Sequence, residues 1–534
     1  MRPLFYTLSL LCSLSICWST PPNTEGKRPD IICILVDDMG YSDLGCYGGE
    51  IETPNLDRLA SEGLRFTQFY NASKCEPTRA SLMSGRYWPE TGLGLKHGHT
   101  IGEVLQEADY TTFAIGKWHL DGHPMDRGFD HYFGHLSGAS AFFPPLNPSF
   151  YLDRDKFSTN DAEFYTTDAF TDYAIEFIKN SKEEDPDKPF FLYLAYNAPH
   201  NPLQAPDEDI AKYRGKYLRG WDEIRKSRYE RLLQLGIIKP GTKLSPQPNN
   251  IPDWDSLSPE QQDLEDLRMA VYAAMIDRLD QNIGRLMDYL KNAHLDNDLL
   301  VVFLSDNGGS PFSRTDANML ARNLLPGDAR SNWEIGTAWA NVSNTPFRLY
   351  KRNQHEGGIA TPCIVWWSDN IESPGDITEQ TAHIIDLLPT FMEVANIEEA
   401  ELSEMDKNLA PLPGYSLLPI LAGEERQPHE FIYFQLFDHR AIRSENWKLV
   451  AVDGKPWELY NLTEDRSETN DLSHENSAIA YSLDREWNRW WKQTTKRSYN
   501  SKRSVTATKD MRDDREGGAE YVPTTMPDRL KNKR

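Results

Sequence analysis

The sequence predicts an α/β protein: a large, mostly parallel sheet with helices on both faces, then a smaller α+β unit containing an antiparallel sheet. Three observations carry this. Apolar runs at residues 31–36, 111–115, 190–196, 299–304 and 363–367 are continuous rather than alternating, as strands buried on both faces require. Helix-like stretches separate them, the alternation expected of α/β folds. The character changes near residues 411–414. Beyond it, short runs at 431–434, 441–443, 447–452 and 457–460 are joined by turns such as Asp453-Gly454, a pattern of antiparallel strands.

The 534 residues suffice for two or three domains. Met1-Arg2-Pro3-Leu4 followed by an apolar run to about Trp18 reads as a signal peptide, residues 1–19, too short for a membrane span. Export to the periplasm or outside the cell is therefore expected. Ile16 makes Cys17 a poor lipoprotein signal. The main domain is expected over 29–415 and the smaller one over 416–495. The polar tail, 496–534, lacks periodicity and is expected to be extended or mobile.

Within the main domain, Thr53-Pro54 opens a helix over 55–63, Thr as its cap and Pro in its first turn. Residues 264–294 carry Leu267, Val271, Met275, Leu279, Ile283, Leu286 and Leu290 at helical spacing. Residues 214–235 are charged and contain Trp221, which is read as an inserted helical segment with a solvated face. Residues 482–491 look helical, with Leu483, Trp487, Trp490 and Trp491 near one face.

Composition narrows the function. A mean hydropathy of −0.62 excludes a polytopic membrane protein. A net charge of −24 argues against nucleic acid as a partner. Of six Cys, Cys12 and Cys17 leave with the leader. Cys33, Cys46, Cys75 and Cys363 are too scattered for a disulfide framework. Asn71-Ala72-Ser73, Asn341-Val342-Ser343 and Asn461-Leu462-Thr463 match the glycosylation pattern.

Polar residues follow four of the predicted strands: Asp37-Asp38, Lys117-Trp118-His119, His200 and Asp306-Asn307. In open α/β sheets the carboxyl edge is where ligands bind. Asp37, Asp38, Asp306 and Asn307 form an oxygen-only donor set, suited to Ca²⁺ or Mg²⁺ rather than zinc. Lys117 and His119, two apart, face one side of an extended backbone. Lys351 precedes Glu356-Gly357-Gly358. The run from Lys74 to Arg86 places Cys75 two residues before Pro77 and four before Arg79, at a predicted helix start. Such a start suits an anion, and a guanidinium fork fits a sulfuryl or phosphoryl group.

Cys75-x-Pro77-x-Arg79 followed by Gly85-Arg86 resembles the signature of type I sulfatases, in the alkaline phosphatase superfamily. The likeness extends through Asp37-Asp38-x-Gly40, Tyr47-Gly48-Gly49, Thr53-Pro54-Asn55-Leu56-Asp57, Gly116-Lys117-Trp118-His119, Ser305-Asp306-Asn307-Gly308 and Lys351 with Glu356-Gly357-Gly358-Ile359. Arg440-Ala441-Ile442-Arg443, Trp447-Lys448-Leu449 and Glu458-Leu459-Tyr460-Asn461-Leu462 continue it, so it spans about 29–475. Residues 213–235 are similar to the bacterial arylsulfatase branch.

The resemblance implies an alkaline-phosphatase-like sheet and a sulfuric ester hydrolase acting on a sulfated carbohydrate or an aryl or alkyl sulfate. It implies that a maturation enzyme converts Cys75 to formylglycine, whose hydrate attacks sulfur. It also implies that Asp37, Asp38, Cys75, Asp306 and Asn307 bind Ca²⁺, with Mg²⁺ as the other candidate. Arg79, Lys117 and His119 surround the formylglycine on this reading, and His200 and Lys351 face the sulfate and leaving group. Glu76 stands where the family has a small residue. His355 stands where it often has an aromatic or other bulky one, which makes His355 a candidate substrate contact. A phosphonate or phosphodiester hydrolase of the same superfamily would use nearly the same residues. A non-catalytic carbohydrate-binding protein would keep Cys75 as a thiol.

Overall fold

The computed structural model describes residues 28–398, 409–452 and 455–499. The leader with Cys12 and Cys17, the Asp453-Gly454 turn and the tail beyond Tyr499 lie outside the described residues.

Eleven strands form the main sheet. They are β1 (Asp30–Val36), β2 (Leu64–Tyr70), β3 (Thr111–Lys117), β4 (His131–His135), β5 (Phe150–Leu152), β6 (Asp155–Lys156), β7 (Phe190–Ala195), β8 (Leu299–Ser305), β9 (Ala360–Trp367), β10 (Ile377–Thr378) and β11 (Ala382–His383). Their order is β10-β2-β9-β8-β1-β7-β3-β4-β5-β6, with β11 also paired to β2. The centre, β8-β1-β7-β3-β4, is parallel. The continuous run at 363–367 falls in β9, which runs antiparallel to both β8 and β2. Burial on both faces makes a run continuous and leaves its direction unspecified.

The central strands feed two cores. Ile32, Ile34 and Val36 of β1 enter one hydrophobic cluster, and Ile31, Cys33 and Leu35 enter another on the opposite face. β7 and β8 divide their side chains the same way. The long helix Pro259–Asn292 lies over the first core, opened by a capping box between Ser258 and Gln261. Its Asp280 carboxylate reaches across to the helix Pro54–Glu62, accepting from the N–H of Asn55 (3.1 Å) and Leu56 (2.7 Å). That helix is therefore capped by a neighbour. The Thr53 hydroxyl instead accepts from the Gly45 N–H (2.9 Å) and donates to Asp57 (3.1 Å).

The segment at 214–235 contains the helix Trp221–Gln234, and its charges are not all solvated. Arg228 is buried, with Asp43 at 2.6 Å and Glu50 at 2.7 Å. Trp221 packs on Trp254 and Trp339. Two of the three glycosylation-pattern asparagines, Asn71 and Asn341, are buried. Among the described residues, Cys33, Cys46, Cys75 and Cys363 form no disulfide.

The second sheet, β12 (Ile432–Leu436), β13 (His439–Ser444), β14 (Trp447–Ala451) and β15 (Glu458–Asn461), is antiparallel throughout. The helix Ser477–Thr495 covers it through Leu483, Trp487 and Trp490. Tyr87 and Ile385 of the main domain share that cluster, so the two sheets are packed together. The first tail residues continue this packing: the Tyr499 ring lies 4.9 Å from that of Trp487.

Candidate active site

Most of the candidate residues named from the sequence arrive at one edge of the main sheet. Asp37 and Asp38 follow β1, Lys117 ends β3, His200 follows β7, and Asp306 and Asn307 follow β8. Cys75 and Arg79 lie on the helix Cys75–Ser84, which faces the same edge. Its start is tethered by Thr78, whose hydroxyl donates to the Asp306 carbonyl (2.8 Å) and accepts from the Ala72 N–H (3.1 Å). Lys351 arrives on the loop before the helix Glu356–Ile359, its N–H bonded to the Gly309 carbonyl (3.2 Å).

Close backbone approach makes this convergence possible. A Cβ on Gly308 would sit 1.9 Å from the Gly357 carbonyl oxygen. Gly116, at φ +98°, would place one 1.9 Å from the Ala195 oxygen. Asp38 (φ +68°) and His119 (φ +53°) also occupy the left-handed region. Such backbone costs about 1–3 kcal/mol per residue and persists only where the surroundings impose it. The turn at His119 also means that Lys117 and His119 are not simple same-side neighbours of one strand.

Four acidic or amide groups and three cations share the buried centre. Lys117 Nζ lies 2.5 Å from Asp37 Oδ2, and Lys351 Nζ lies 2.5 Å from Asp38 Oδ1. Arg79 lies 3.4 Å from Asp306 Oδ2 and 3.8 Å from Asp37 Oδ2. It also donates to the Lys117 carbonyl (2.8 Å) and the Tyr193 hydroxyl (3.0 Å). Asn307 donates to Asp38 Oδ1 (2.7 Å). Ligand atoms of Asp37, Cys75 and Asp306 lie within 4.8 Å of one another, as do those of Asp37, Asp38 and His200.

The electrostatics follow from this crowding. Burial alone would raise the Asp37 and Asp38 carboxyls. Lys117, His200 and Arg79 hold Asp37 well below its usual range, and Lys351 and His200 lower Asp38. Burial and the adjacent Asp37 push Asp306 well above its usual range. Burial opposes ionisation of Cys75, but Lys117 and Lys351 outweigh it and bring the thiol down to about 7. His119 is held well below its normal value by burial, Lys117 and Arg79, so its ring is neutral at pH 7. His200 Nδ1 faces the Asn201 carbonyl at 2.7 Å. A carbonyl only accepts, so Nδ1 carries the proton and Nε2, 3.6 Å from Asp38 Oδ2, faces the site.

The donor set fits a hard divalent cation. Asp37 Oδ1, Asp38 Oδ2 and Asn307 Oδ1 are buried with no hydrogen-bond partner. Leaving three buried oxygens unpaired is costly, and an ion bound by oxygens would satisfy them. It would also relieve the crowding that raises Asp306.

Two supporting residues escaped sequence reasoning. Tyr193 lay inside an apolar run and read as core, yet its hydroxyl positions Arg79. Asn71, read only as a glycosylation pattern, donates to the Ser305 carbonyl (2.6 Å) and to Thr361 (2.7 Å), tying β2 to β8 and β9. His355 is fully buried, its Nε2 3.1 Å from Glu458 Oε2, and it does not line the site. Glu76 pairs with Lys74 at 3.6 Å.

Comparison with known proteins places the chain in a family. The sulfatase family model matches residues 29–397, and the model of the N-sulphoglucosamine sulphohydrolase C-terminal region matches 347–492. An arylsulfatase of Klebsiella aerogenes is 35% identical over 75% of this chain and 94% of its own. An uncharacterized sulfatase of Schizosaccharomyces pombe is 33% identical over 87% and 93%. The crystal structure of Ps i-CgsB in complex with k-i-k-neocarrahexaose superposes with a TM-score of 0.65 at 27% identity, covering 90% of this chain and 96% of that one. The chain belongs to the sulfatase family, with its alkaline-phosphatase-like fold. It is an enzyme of sulfate ester hydrolysis.

Proposed function

We propose that the protein removes sulfate from a sulfated saccharide, with aryl sulfates as accessible small substrates, using an oxidised Cys75 and a bound Ca²⁺. One observation carries this reading: three buried oxygens without a hydrogen bond, from Asp37, Asp38 and Asn307, belong to the acidic cluster in which Asp37 and Asp306 lie beside Cys75, with Arg79, Lys117 and Lys351 around it. Asp37, Asp38, Asp306 and Asn307 would hold the ion, which supplies positive charge beside position 75. Formylglycine at that position supplies, as its hydrate, one hydroxyl to attack sulfur and a second to expel sulfate.

The remaining work falls to the chain's own side chains. Lys117 and Lys351 offset charge on the sulfuryl oxygens, and Arg79 orients the nucleophile. His200, when both ring nitrogens carry a proton, delivers the one on Nε2 to the departing oxygen and is left as the neutral ring with Nδ1–H on the Asn201 carbonyl. His119, neutral in its buried setting, takes the proton released at position 75. The three cations also answer the charge problem. An overall charge of −24 repels a sulfate ester, and the pocket must reverse that field locally.

Export fits the leader pattern at 1–19. Among the described residues no helix is long and apolar enough to cross a membrane. Carbohydrate is favoured as substrate because relatives of this chain include an N-acetylglucosamine-6-O-sulfatase of Bacteroides thetaiotaomicron, 28% identical over 86% of the chain. The test is parallel turnover of 4-nitrophenyl sulfate, 4-nitrophenyl phosphate and a panel of sulfated sugars, before and after chelation of divalent ions. Sulfate turnover that exceeds phosphate turnover and returns with Ca²⁺ is expected. A large preference for phosphate would overturn the reading.

A further inference from the structure

Asp38 carries its carboxylate into the pocket from a left-handed backbone (φ +68°), and such a conformation needs support from its surroundings. The support comes from groups that the chemistry above does not use. The Tyr272 hydroxyl stands 3.3 Å from the Asp38 carbonyl and donates to Asp43 Oδ2 (2.8 Å). The same Asp43 oxygen accepts from the Gly40 N–H (2.8 Å). Between these, the Met39 N–H donates to Ser305 Oγ (3.1 Å). Both peptide units from Asp38 to Gly40 are therefore held. Gly40 leaves no slack, because a Cβ there would lie 2.5 Å from Ser343.

The hold reaches back to the inserted helix Trp221–Gln234. Asp43 Oδ1 accepts from Arg228 (2.6 Å), whose other nitrogens donate to both oxygens of Glu50 (2.7 and 2.8 Å). Tyr217 donates to the same Glu50 (3.0 Å). Asp43, Tyr272, Arg228 and Tyr217 are all buried. Tyr272 belongs to the long helix Pro259–Asn292, so two helices meet the turn after β1 at Asp43. A buried network whose members are satisfied is rigid. Asp43 uses both oxygens within the protein, whereas Asp38 keeps Oδ2 without a hydrogen bond. One carboxylate is built as a support and the other as a ligand. Groups behind a metal ligand fix its orientation, and losing one typically weakens the ion about 10–100-fold.

We propose that Tyr272 and Asp43, braced by Arg228, are positioning residues for the ion: they hold the turn from Asp38 to Gly40 so that Asp38 presents Oδ2 to the cation. This deepens the reading of Asp38 as an ion ligand and rests on it. It also gives the inserted helix a part in the pocket, exerted through a buried chain of hydrogen bonds.

Calorimetric titration of Ca²⁺ into the mature enzyme, stripped by a chelator, tests this apart from turnover. Tyr272→Phe removes only the hydroxyl and should weaken Ca²⁺ binding about 10–100-fold. Arg228→Lys keeps a charge but loses the fork that spans Asp43 and Glu50, and should weaken binding in the same direction by less. Tyr217→Phe is the control. It removes an equally buried phenol hydroxyl from the same network, one bonded to Glu50 rather than to the Asp38 turn. All three variants should lower the unfolding midpoint of the ion-free protein, but Tyr217→Phe should bind Ca²⁺ as the wild type does. Saturating Ca²⁺ should restore most of the turnover of 4-nitrophenyl sulfate by Tyr272→Phe, because the groups that meet the substrate are intact. Unchanged Ca²⁺ affinity in Tyr272→Phe, or an equal loss in Tyr217→Phe, overturns the proposal. If Tyr272→Phe fails to fold, Arg228→Lys against Tyr217→Phe decides in the same way. A wild type that binds neither Ca²⁺ nor Mg²⁺ would overturn the ion reading itself, and the proposal with it.

Discussion

Two buried charge clusters in this molecule look alike in composition and differ in how they are closed. One is the pocket of Asp37, Asp38, Asp306, Arg79, Lys117 and Lys351. The other sits at the seam between the two sheets, where Glu356 and Glu468 meet Lys448, Arg466 and Tyr70. At the seam both oxygens of Glu356 are occupied. Oε1 has Lys448 at 2.9 Å, and Oε2 has Arg466 at 3.0 Å and the Tyr70 hydroxyl at 2.9 Å. The Glu356 N–H in turn donates to Glu468 (2.8 Å). The seam leaves Glu468 Oε1 and Arg466 Nη2 without a hydrogen bond, but Lys448 Nζ stands 2.8 Å from that oxygen. In the pocket the buried atoms without a hydrogen bond include three acceptors in one cluster, an oxygen each of Asp37, Asp38 and Asn307. A charge cluster that holds a fold sets its carboxylates against its own cations. One that acts on a ligand keeps donors and acceptors for it.

The difference has measurable consequences. Cys75→Ser strikes the open cluster at its centre. Multiple-turnover sulfatase activity should fall by about ten-thousand-fold or more, because a serine lacks the second hydroxyl that expels sulfate. Mass spectrometry should show either a trapped sulfo-enzyme or an inert one. Full steady-state turnover would contradict the mechanism.

Lys448→Met strikes the closed cluster, leaving buried carboxylates without their cation. It should cost about 3–5 kcal/mol of stability, read by denaturant unfolding. An unchanged midpoint would show that the seam is not held by charge.

Asp306→Asn should do the reverse of Lys448→Met. Without added ion its unfolding should be little altered or favourable to the fold, since burial and Asp37 already disfavour this carboxylate. The wild type should gain about 2.7 kcal/mol at a hundredfold excess of Ca²⁺ over its dissociation constant. The variant should lose most of that gain at the same concentration. Equal Ca²⁺ stabilisation in both would remove Asp306 from the ion site.

The smallest effect concerns acid. Burial disfavours the Glu458 carboxylate, but hydrogen bonds from His355 and Tyr460 with the charge of Arg348 bring it down to about 2 from 4.5. A depressed carboxyl stabilises the fold above its unfolded value. That stability is lost as pH falls from about 4.5 to about 2. Glu458→Gln should flatten this part of the stability-against-pH curve by about 1–2 kcal/mol. An unchanged slope would discount the pairing.

Much of this contrast was legible in the sequence, and the reasons are local. Continuous apolar runs ending in polar residues marked β1, β3, β7 and β8 and the edge they share. Short motifs identified Cys75, Arg79 and the acidic set. The missing parts depend on distant partners. Thr53 looked like a cap, but Asp280, 225 residues from Asn55, does that work. His355 looked available to substrate because nothing near it in sequence announces Glu458. Tyr193 was hidden inside a hydrophobic strand, where a phenol and a phenyl ring pattern alike. β9 had the burial of its neighbours but the opposite direction, which composition does not encode.

The central claim is that the open cluster serves an oxidised side chain at position 75. Mass spectrometry of the Cys75 peptide from enzyme purified from its native host tests it most directly, with a hydrazide probe for aldehyde and iodoacetamide for thiol. The account predicts a hydrazide-reactive peptide that resists alkylation. A fully alkylated thiol in a preparation that still turns over sulfate esters would contradict it.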